Sequence, residues 1–427
     1  MKPTQNILKH PHVRNPVEAM ANARHNFGEH GGVNMSVEAS TTFTVMHPDI
    51  LAEIFSGDKG PDQGGCYLYG RHFNPTVYNL GKQLAALEGT EAAYCTASGM
   101  AAISATLIQL CNSGDHIVSS NTIYGGSYAL LHDLLPLKNG INASLVDISD
   151  LEAVEAAINE STRVIFAESI SNPTLRVADI ARLSEIAKRH NVKLVIDNTF
   201  SPLMLSPRQL GADIVVHSMT KFINGASDYI AGAICADKEF ILQLMDLHTG
   251  ALMLLGPTMD PQLAFNISLR LPHLPLRMKE HSLRAQLFAE RLMAMGLAVN
   301  YPGLPTHPDH ELISEMRCPE YGYGGIFTLD MGTEELADKL MDILQNDYHF
   351  GYMAVSLGYF DSLMSCSGST TSSEMTPEDK SLAGISPGLL RFSIGYTGTA
   401  EQRWRQLAGA LDRLGIRSES DNSRSIL

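Results

Sequence analysis

The sequence predicts an α/β protein in which a large domain with a mainly parallel sheet is followed by a smaller α+β domain and preceded by an N-terminal arm. Between about residue 85 and residue 236, short apolar runs alternate with helix-like stretches, as is typical of βαβ units. After about residue 260 the pattern changes to longer helical stretches separated by loops. The first 60 or so residues are weakly periodic. With 427 residues, the chain is also too long for one core of ordinary size.

The predicted elements follow in chain order. The arm covers residues 1–68 and the large domain covers residues 69–270, with predicted strands at 92–96, 116–119, 143–146, 164–167, 193–196, 213–217 and 231–236. Helix-like stretches between several of them are 100–110, 150–158 and 180–190. The small domain covers residues 271–427 and is predicted to contain helices at 278–295, 334–344 and 400–414, a strand-like stretch at 324–331 and a long polar loop at 364–387.

Composition excludes several classes of function. The formal net charge of −15 argues against a nucleic-acid-binding face and against binding to anionic membranes. No run reaches the roughly 20 apolar residues that a membrane span needs, and no signal-like apolar segment opens the chain, so we expect a cytoplasmic protein. The six cysteines form no CxxC pair, and the closest histidine spacings, His10/His12 and His307/His310, lack companion ligands. We therefore expect neither a disulfide framework nor a bound metal.

The turn after the strand at 92–96 has the composition of an anion site. Ser98, Gly99 and Met100 stand between this strand and the next helix. The glycine permits a tight turn, and the first amides of the helix point outward, where they suit a phosphate. Such a turn is more often only structural, so the motif gains weight only together with others.

A second strand, at 213–217, ends in Ser218, Thr220 and Lys221. The hydroxyls can bind phosphate, whereas a lysine after a strand is ordinarily a surface residue. Lys221, however, is bracketed by apolar sequence, and a desolvated lysine has a lowered pKa and becomes nucleophilic.

Two further strand ends carry groups that complement these. The strand at 193–196 ends in Asp197, which is either a turn-capping residue or a buried acid paired with a cationic ring nitrogen. Tyr124 follows the strand at 116–119 and precedes two glycines, which suggests close approach of the backbone to a ligand. Together the four strand ends supply a phosphate cup, an aromatic plate, an acid and an imine-forming lysine. This set predicts a pyridoxal 5'-phosphate (PLP) site.

These residues carry a family resemblance from about residue 35 to about residue 415. The chain resembles the PLP-dependent enzymes of cysteine and methionine metabolism, which have the aspartate-aminotransferase fold (fold type I). The motifs are YGRHFNPT at 69–76, TASGMAAI at 96–103, ESISNPT at 168–174, IDNTF at 196–200, HSMTKFINGASDYIAGA at 217–233, VSLGYFDSL at 355–363 and LLRFSIGYTG at 389–398. Within the family the chain is most similar to methionine γ-lyases of the plant-type branch.

The resemblance implies a role for each site residue. Lys221 would carry the cofactor as a Schiff base and later shuttle protons, Asp197 would keep the pyridine nitrogen protonated, and Tyr124 would stack on the ring and act as acid toward the leaving group. Asn172 would lie near the phenolic oxygen of the ring. The phosphate would be bound by Ser98, Gly99, Met100, Ser218 and Thr220.

The resemblance also implies a substrate clamp and a shared site. Arg391, helped by Ser356, would hold the carboxylate of a small amino-acid substrate in a bidentate pair. Tyr69 and Arg71 would reach the phosphate from a neighbouring subunit of a homotetramer built as a dimer of dimers.

The expected activity is γ-elimination from methionine and related sulfur amino acids, giving 2-oxobutanoate, ammonia and a thiol. Gly70 replaces a serine of many relatives, which we expect to change little. Gly126 stands where bacterial γ-lyases carry a cysteine near the substrate sulfur, which weakens a strict preference for methionine. Val355 stands where cystathionine-handling relatives carry glutamate, and a valine suits the methyl end of a thioether.

Two alternatives remain open from the sequence. One is a γ-replacement enzyme, such as an O-acetyl- or O-succinylhomoserine sulfhydrylase, or a cystathionine γ-synthase or γ-lyase, because it would use the same scaffold. The other is a PLP-binding regulator without turnover, against which the acidic charge and the absence of a DNA-binding module argue.

Overall fold

The computed structural model describes residues 15–24, 28, 30–367, 380 and 384–416. The helices are α1 (Pro16–Ala23), α2 (Pro48–Phe55), α3 (Pro75–Glu88), α4 (Gly99–Leu110), α5 (Gly125–Ala129), α6 (Leu135–Asn139), α7 (Leu151–Ala157), α8 (Ile180–His190), α9 (Lys238–Leu244), α10 (Ala251–Leu255), α11 (Pro261–Arg270), α12 (Leu274–Ala294), α13 (His310–Met316), α14 (Glu334–Asp342) and α15 (Ala400–Arg413). The strands are β1 (Ala92–Thr96), β2 (His116–Ser120), β3 (Asn142–Val146), β4 (Thr162–Glu168), β5 (Lys193–Asp197), β6 (Ile214–Ser218), β7 (Gly232–Ala236), β8 (Val299–Asn300), β9 (Ile326–Asp330), β10 (Gly351–Met353), β11 (Ser362–Cys366) and β12 (Leu389–Ser393).

The first seven strands form one sheet in the order β1-β7-β6-β5-β4-β2-β3. The run from β6 to β3 is parallel, whereas β7 is antiparallel to both of its neighbours. The carboxyl ends of β1, β2, β4, β5 and β6 therefore lie along the same edge, which is where an open α/β sheet binds its ligand.

Both faces of this sheet are buried. Adjacent residues of a strand point to opposite faces, so Val195 packs with α4 in one core while Ile196 packs with α3 and α8 in the other. Strands covered on both sides need apolar residues throughout, which explains why these strands appear as continuous apolar runs rather than alternating ones.

The remaining strands form a second sheet in the order β10-β11-β12-β9-β8. Helix α12 connects the two cores, because Leu274 and Met278 near its start pack with the first sheet, and Phe288 and Leu292 near its end pack with the second. The helix begins earlier than the predicted residue 278 because Pro275 lies in its first turn, where the missing N–H has no partner to lose.

The predicted α/β architecture with a mainly parallel sheet is confirmed, and each predicted strand overlaps an observed one. The predicted loop at 364–387 is wrong at its start, since residues 364–366 belong to β11, and most of its remainder falls outside the described residues. The spacing His10/His12 also lies outside them. Of the residues that the structure describes, no helix has both the length and the apolar character needed to cross a membrane, and no three His, Cys, Asp or Glu side chains group as metal ligands would.

Candidate active site

The turn between β1 and α4 forms a tight cradle against the end of β6. Ser98 caps α4 by accepting a hydrogen bond from the Ala101 amide at 3.0 Å. A Cβ atom on Gly99 would lie 2.6 Å from the Ser218 Cβ, so any other residue would push the helix away from the strand. The absent side chain leaves the first amides of α4, including that of Met100, beside the Ser218 hydroxyl. First-turn amides have no partner within their helix, and this cradle fits a phosphate.

Asp197 ends β5 with only 7% of its surface exposed. Burial raises the pKa of Asp197, and a hydrogen bond from the Thr199 amide at 2.9 Å and the nearby His217 act in the opposite direction. Thr199 also accepts a hydrogen bond from the Ser218 amide, at 2.7 Å, and so connects the acid to the phosphate cradle. A buried carboxylate is stabilised by a cationic partner, and a protonated ring nitrogen would be one.

Lys221 lies in the loop after β6, where its Nζ donates to the Ser356 Oγ at 2.8 Å. Burial, and secondarily the positive charge of Arg391, lower the pKa of Lys221 to about 8. An amine with this pKa is partly neutral near pH 7 and can act as a nucleophile. The hydroxyl of the neighbouring Thr220 accepts a hydrogen bond from the Ala231 amide at 3.0 Å. This bond fixes the loop to the start of β7.

Arg391 lies on β12 and is the charged part of the site contributed by the second sheet. Only 1% of it is exposed. Its Nη1 donates to the Asn172 Oδ1 at 3.1 Å, its Nη2 donates to the Ser356 carbonyl at 2.7 Å, and its buried Nε has no hydrogen-bond acceptor. Burial lowers the pKa of Arg391 to about 10, and no ion pair among the described residues includes it. A buried guanidinium with donors to spare is suited to bind a carboxylate from outside the chain.

Ser356 joins the two cations, since its hydroxyl accepts from Lys221 and its carbonyl accepts from Arg391. Its φ of 104° is in the left-handed region that non-glycine residues rarely adopt. Backbone strain of this kind is found where a functional arrangement requires it.

Tyr124 follows β2 and is 44% exposed. Its ring lies against Gly126, because a Cβ there would be 2.7 Å from the Tyr124 Cε1 and 3.3 Å from the Met100 Sδ. Gly126 thus allows the tyrosine ring to lie over the start of α4.

Glu168, at the end of β4, is a site residue that the sequence analysis missed. It is 9% exposed and stands opposite Asp197 in the strand register. Its Oε1 accepts from the Tyr124 amide at 3.0 Å, and its Oε2 accepts from the Asn172 amide at 3.1 Å. Burial and the neighbouring Asp197 raise the pKa of Glu168 to about 8. The signal was a strand-end acid within the motif ESISNPT, of the same kind as the one that identified Asp197.

Within the single chain, Arg71 donates to the Met253 carbonyl, and its guanidinium carbon lies 5.7 Å from the centroid of the Tyr69 ring. The Tyr69 backbone forms a β-bridge with Thr42, and the residue is 43% exposed. At Gly70 an added Cβ would meet nothing closer than 3.5 Å, so a serine would fit there without strain. Val355, next to Ser356, is 63% exposed.

Comparison with known proteins agrees with this geometry. Residues 17–401 match the family model described as Cys/Met metabolism PLP-dependent enzyme. A methionine gamma-lyase of Arabidopsis thaliana is 58% identical over 93% of this chain and 90% of its own length, and an L-methionine gamma-lyase of Fusobacterium nucleatum is 40% identical over 77% and 82%.

Among solved structures, a putative O-acetylhomoserine (thiol)-lyase of Campylobacter jejuni, which carries a pyridoxyl-lysine phosphate, superposes with a TM-score of 0.84 at 28% identity. It covers 93% of this chain and 100% of that one. The match confirms the predicted fold type I architecture and the predicted cofactor class. The chain belongs to the PLP-dependent enzymes of cysteine and methionine metabolism.

Proposed function

We propose that this enzyme eliminates the γ-substituent of methionine, and of related sulfur amino acids such as homocysteine. With methionine and water the products are 2-oxobutanoate, ammonia and methanethiol. The observation that carries the proposal is the joint contact of Lys221 and Arg391 with Ser356, because it sets an amine of lowered pKa beside a buried carboxylate-binding group. The activity named for the A. thaliana relative also supports it.

The residues of the site fit pyridoxal phosphate. The cradle left by the missing Cβ of Gly99 suits the phosphate, with Ser98, Met100, Ser218 and Thr220 around it. Asp197 would pair with the ring nitrogen, and Asn172 would lie near the phenolic oxygen. Tyr124 would stack on the face of the ring, and Lys221 would form the covalent bond. When bound, the cofactor supplies an electron sink for negative charge on substrate carbons.

Arg391 binds the substrate carboxylate through the donors that its protein partners leave free. This contact orients the α-carbon toward the Lys221 Nζ, which takes the α-proton in its neutral form. The lowered pKa makes that form accessible near neutral pH. Ser356 keeps the Nζ within reach of both groups.

Tyr124 gives a proton from its Oη to the departing sulfur. The ring is 44% exposed, so a substrate can reach it, and Gly126 leaves room for the ring in its present position. Val355 presents an apolar side chain beside Ser356, which suits a thioether methyl and offers no partner to a distal ammonium.

We also propose a homotetramer, arranged as a dimer of dimers, in which Tyr69 and Arg71 complete the phosphate site of a neighbouring subunit. Exposed apolar side chains in the arm support this, notably those of Val33, Met46 and Phe55. A cytoplasmic location is supported by the six cysteines, all in the described part of the chain, because they form no disulfide.

The proposed activity predicts a substrate order. Purified enzyme should release 2-oxoacid from methionine and homocysteine with kcat/KM at least about tenfold above that for cystathionine, because Val355 leaves the distal ammonium unpaired. Val355→Glu should narrow or reverse this ratio, while Val355→Ile, which remains apolar, should preserve it. If O-acetylhomoserine and sulfide gave homocysteine faster than methionine gave 2-oxobutanoate, the γ-replacement alternative would be favoured instead.

Tyr124→Phe should slow methanethiol release by roughly 100-fold or more, while deuterium exchange at the substrate Cα changes only a few-fold. Methanethiol release needs the Oη proton, whereas exchange at the Cα does not. Tyr128→Phe is the matched control, since Tyr128 is a buried tyrosine in α5, the helix that directly follows Tyr124, and it should leave both rates near wild type. An equal loss of both rates in Tyr124→Phe would remove its role as acid.

Gly126→Ala should lower the rate of thiol release roughly ten- to a hundredfold, because the new methyl would lie 2.7 Å from the Tyr124 Cε1 and would displace the ring. Gly60→Ala is the control, as its methyl would meet nothing nearer than 3.4 Å. Wild-type turnover in Gly126→Ala would show that the ring position does not depend on this glycine.

Shared sites predict complementation. Lys221→Ala should lose the visible absorbance of the bound cofactor together with turnover, and Arg71→Ala should lose most turnover. Co-expressed in equal amounts, the two should recover about a quarter of wild-type activity, since about half the dimers would be hybrids with one intact site. Recovery of none would count against sites built from two subunits.

A further inference from the structure

Glu168 lies at the centre of the ligand-binding edge of the sheet. Strand β4 is flanked by β2 on one side and β5 on the other, so its last residue stands between the Tyr124 loop and Asp197. Each carboxylate oxygen of Glu168 accepts one backbone hydrogen bond, from Tyr124 at 3.0 Å and from Asn172 at 3.1 Å. Both oxygens of a carboxyl group keep acceptor lone pairs, even when one of them carries a proton, whereas a side-chain amide has only one acceptor oxygen.

The two amides belong to opposite sides of the substrate site. Tyr124 faces the substituent that leaves, whereas the Asn172 side chain accepts a hydrogen bond from Arg391, which faces the substrate carboxylate. Three hydrogen bonds, two of them accepted by Glu168, therefore connect Tyr124 with Arg391.

This arrangement is electrostatically costly. A second buried carboxylate, Asp197, stands opposite Glu168 in the neighbouring strand. Burial, and secondarily this acid, raise the pKa of Glu168 even though two amides oppose the shift. Serine ends β2 and β6 of the same sheet, so a strand end on this edge does not require an acid. We therefore expect the Glu168 side chain, which accepts two backbone hydrogen bonds, to do more than end the strand.

We propose that Glu168 is a positioning residue that fixes the spacing between Tyr124 and the Asn172–Arg391 pair. It thereby places the Tyr124 Oη at the γ-substituent of a substrate whose carboxylate is bound to Arg391. The inference rests on the proposed role of Tyr124 in elimination.

The test uses the holoenzyme and the variant Glu168→Gln. An amide nitrogen cannot accept, so one of the two backbone hydrogen bonds is lost while size and shape are retained. Methanethiol release should fall at least about tenfold more than deuterium exchange at the substrate Cα, because a small displacement of Tyr124 affects only the first. Amide hydrogen exchange of the holoenzyme, measured by mass spectrometry, should be faster in the variant than in the wild type for peptides that contain Tyr124 or Asn172.

Asp115→Asn is the matched control. Asp115 is also a buried acid that accepts a backbone amide, from Asn112 at 2.8 Å, but it lies at the opposite end of β2. It should leave the ratio of the two rates within about twofold of wild type. A structural loss common to buried acids would lower both rates together in Asp115→Asn and Glu168→Gln, and that result would overturn the proposal.

The outcomes separate this inference from the proposed function. If the wild type released no thiol from methionine, the proposed function would fail and amide exchange would decide the inference alone, with unchanged exchange at Tyr124 and Asn172 overturning it. If Glu168→Gln did not bind the cofactor, Glu168→Asp would serve, because it withdraws both acceptors by one methylene. Faster exchange at the two amides would then support the proposal, and wild-type exchange would end it.

Discussion

Two buried cations facing one serine are the constraint on which the site depends. Lys221 comes from the first sheet and Arg391 from the second, and both are desolvated in the same region. Like charges in such a place repel, which is one reason why the pKa of Lys221 is lowered. Ser356 contacts both, through its hydroxyl and its carbonyl. The strained backbone of Ser356 thus occurs at the residue that makes both contacts.

The opposite charges of the site lie on the neighbouring strand ends. Glu168 and Asp197 are paired in register, and both have raised pKa values because they are buried. In such a pair of acids only one carboxylate ionises easily, and a cationic ring nitrogen would favour ionisation of the acid that faces it. Besides burial, the charge of Asp197 raises the pKa of Glu168, whereas Thr199 and His217 act to lower the pKa of Asp197, so Asp197 is the member that ionises first.

The sequence predicted the parts of the site that depend on local chain geometry. Because parallel strands end on one edge, Ser98, Asp197 and Ser218 were expected to converge, and the Thr199 and Gly99 contacts bring their strand ends together. The insertion of antiparallel β7 between β1 and β6 was not predictable, since strand order is set by long-range pairing that local periodicity does not encode.

The same limit explains the two contacts that were missed. Ser356 was assigned to the substrate by resemblance, but its contact with Lys221 joins residues far apart in the chain. Glu168 could have been identified as a strand-end acid. Its function as a double acceptor depends on the loops that follow β2 and β4, whose conformations no sequence pattern fixed.

The face of the sheet opposite Asp197 gives a further reason for the rigidity of the site. There the buried His217 Nε2 lies 2.7 Å from the Glu88 Oε1, and the same oxygen accepts from the Asn198 side chain at 3.0 Å. Asn198 directly follows Asp197, so this polar cluster fixes the end of β5 from behind. Side chains alternate between faces along a strand. Polar contacts on one face can therefore fix the backbone that carries a carboxylate on the other face. Asp197 can remain buried, and aimed at one partner, because its backbone is held by groups that never enter the active site.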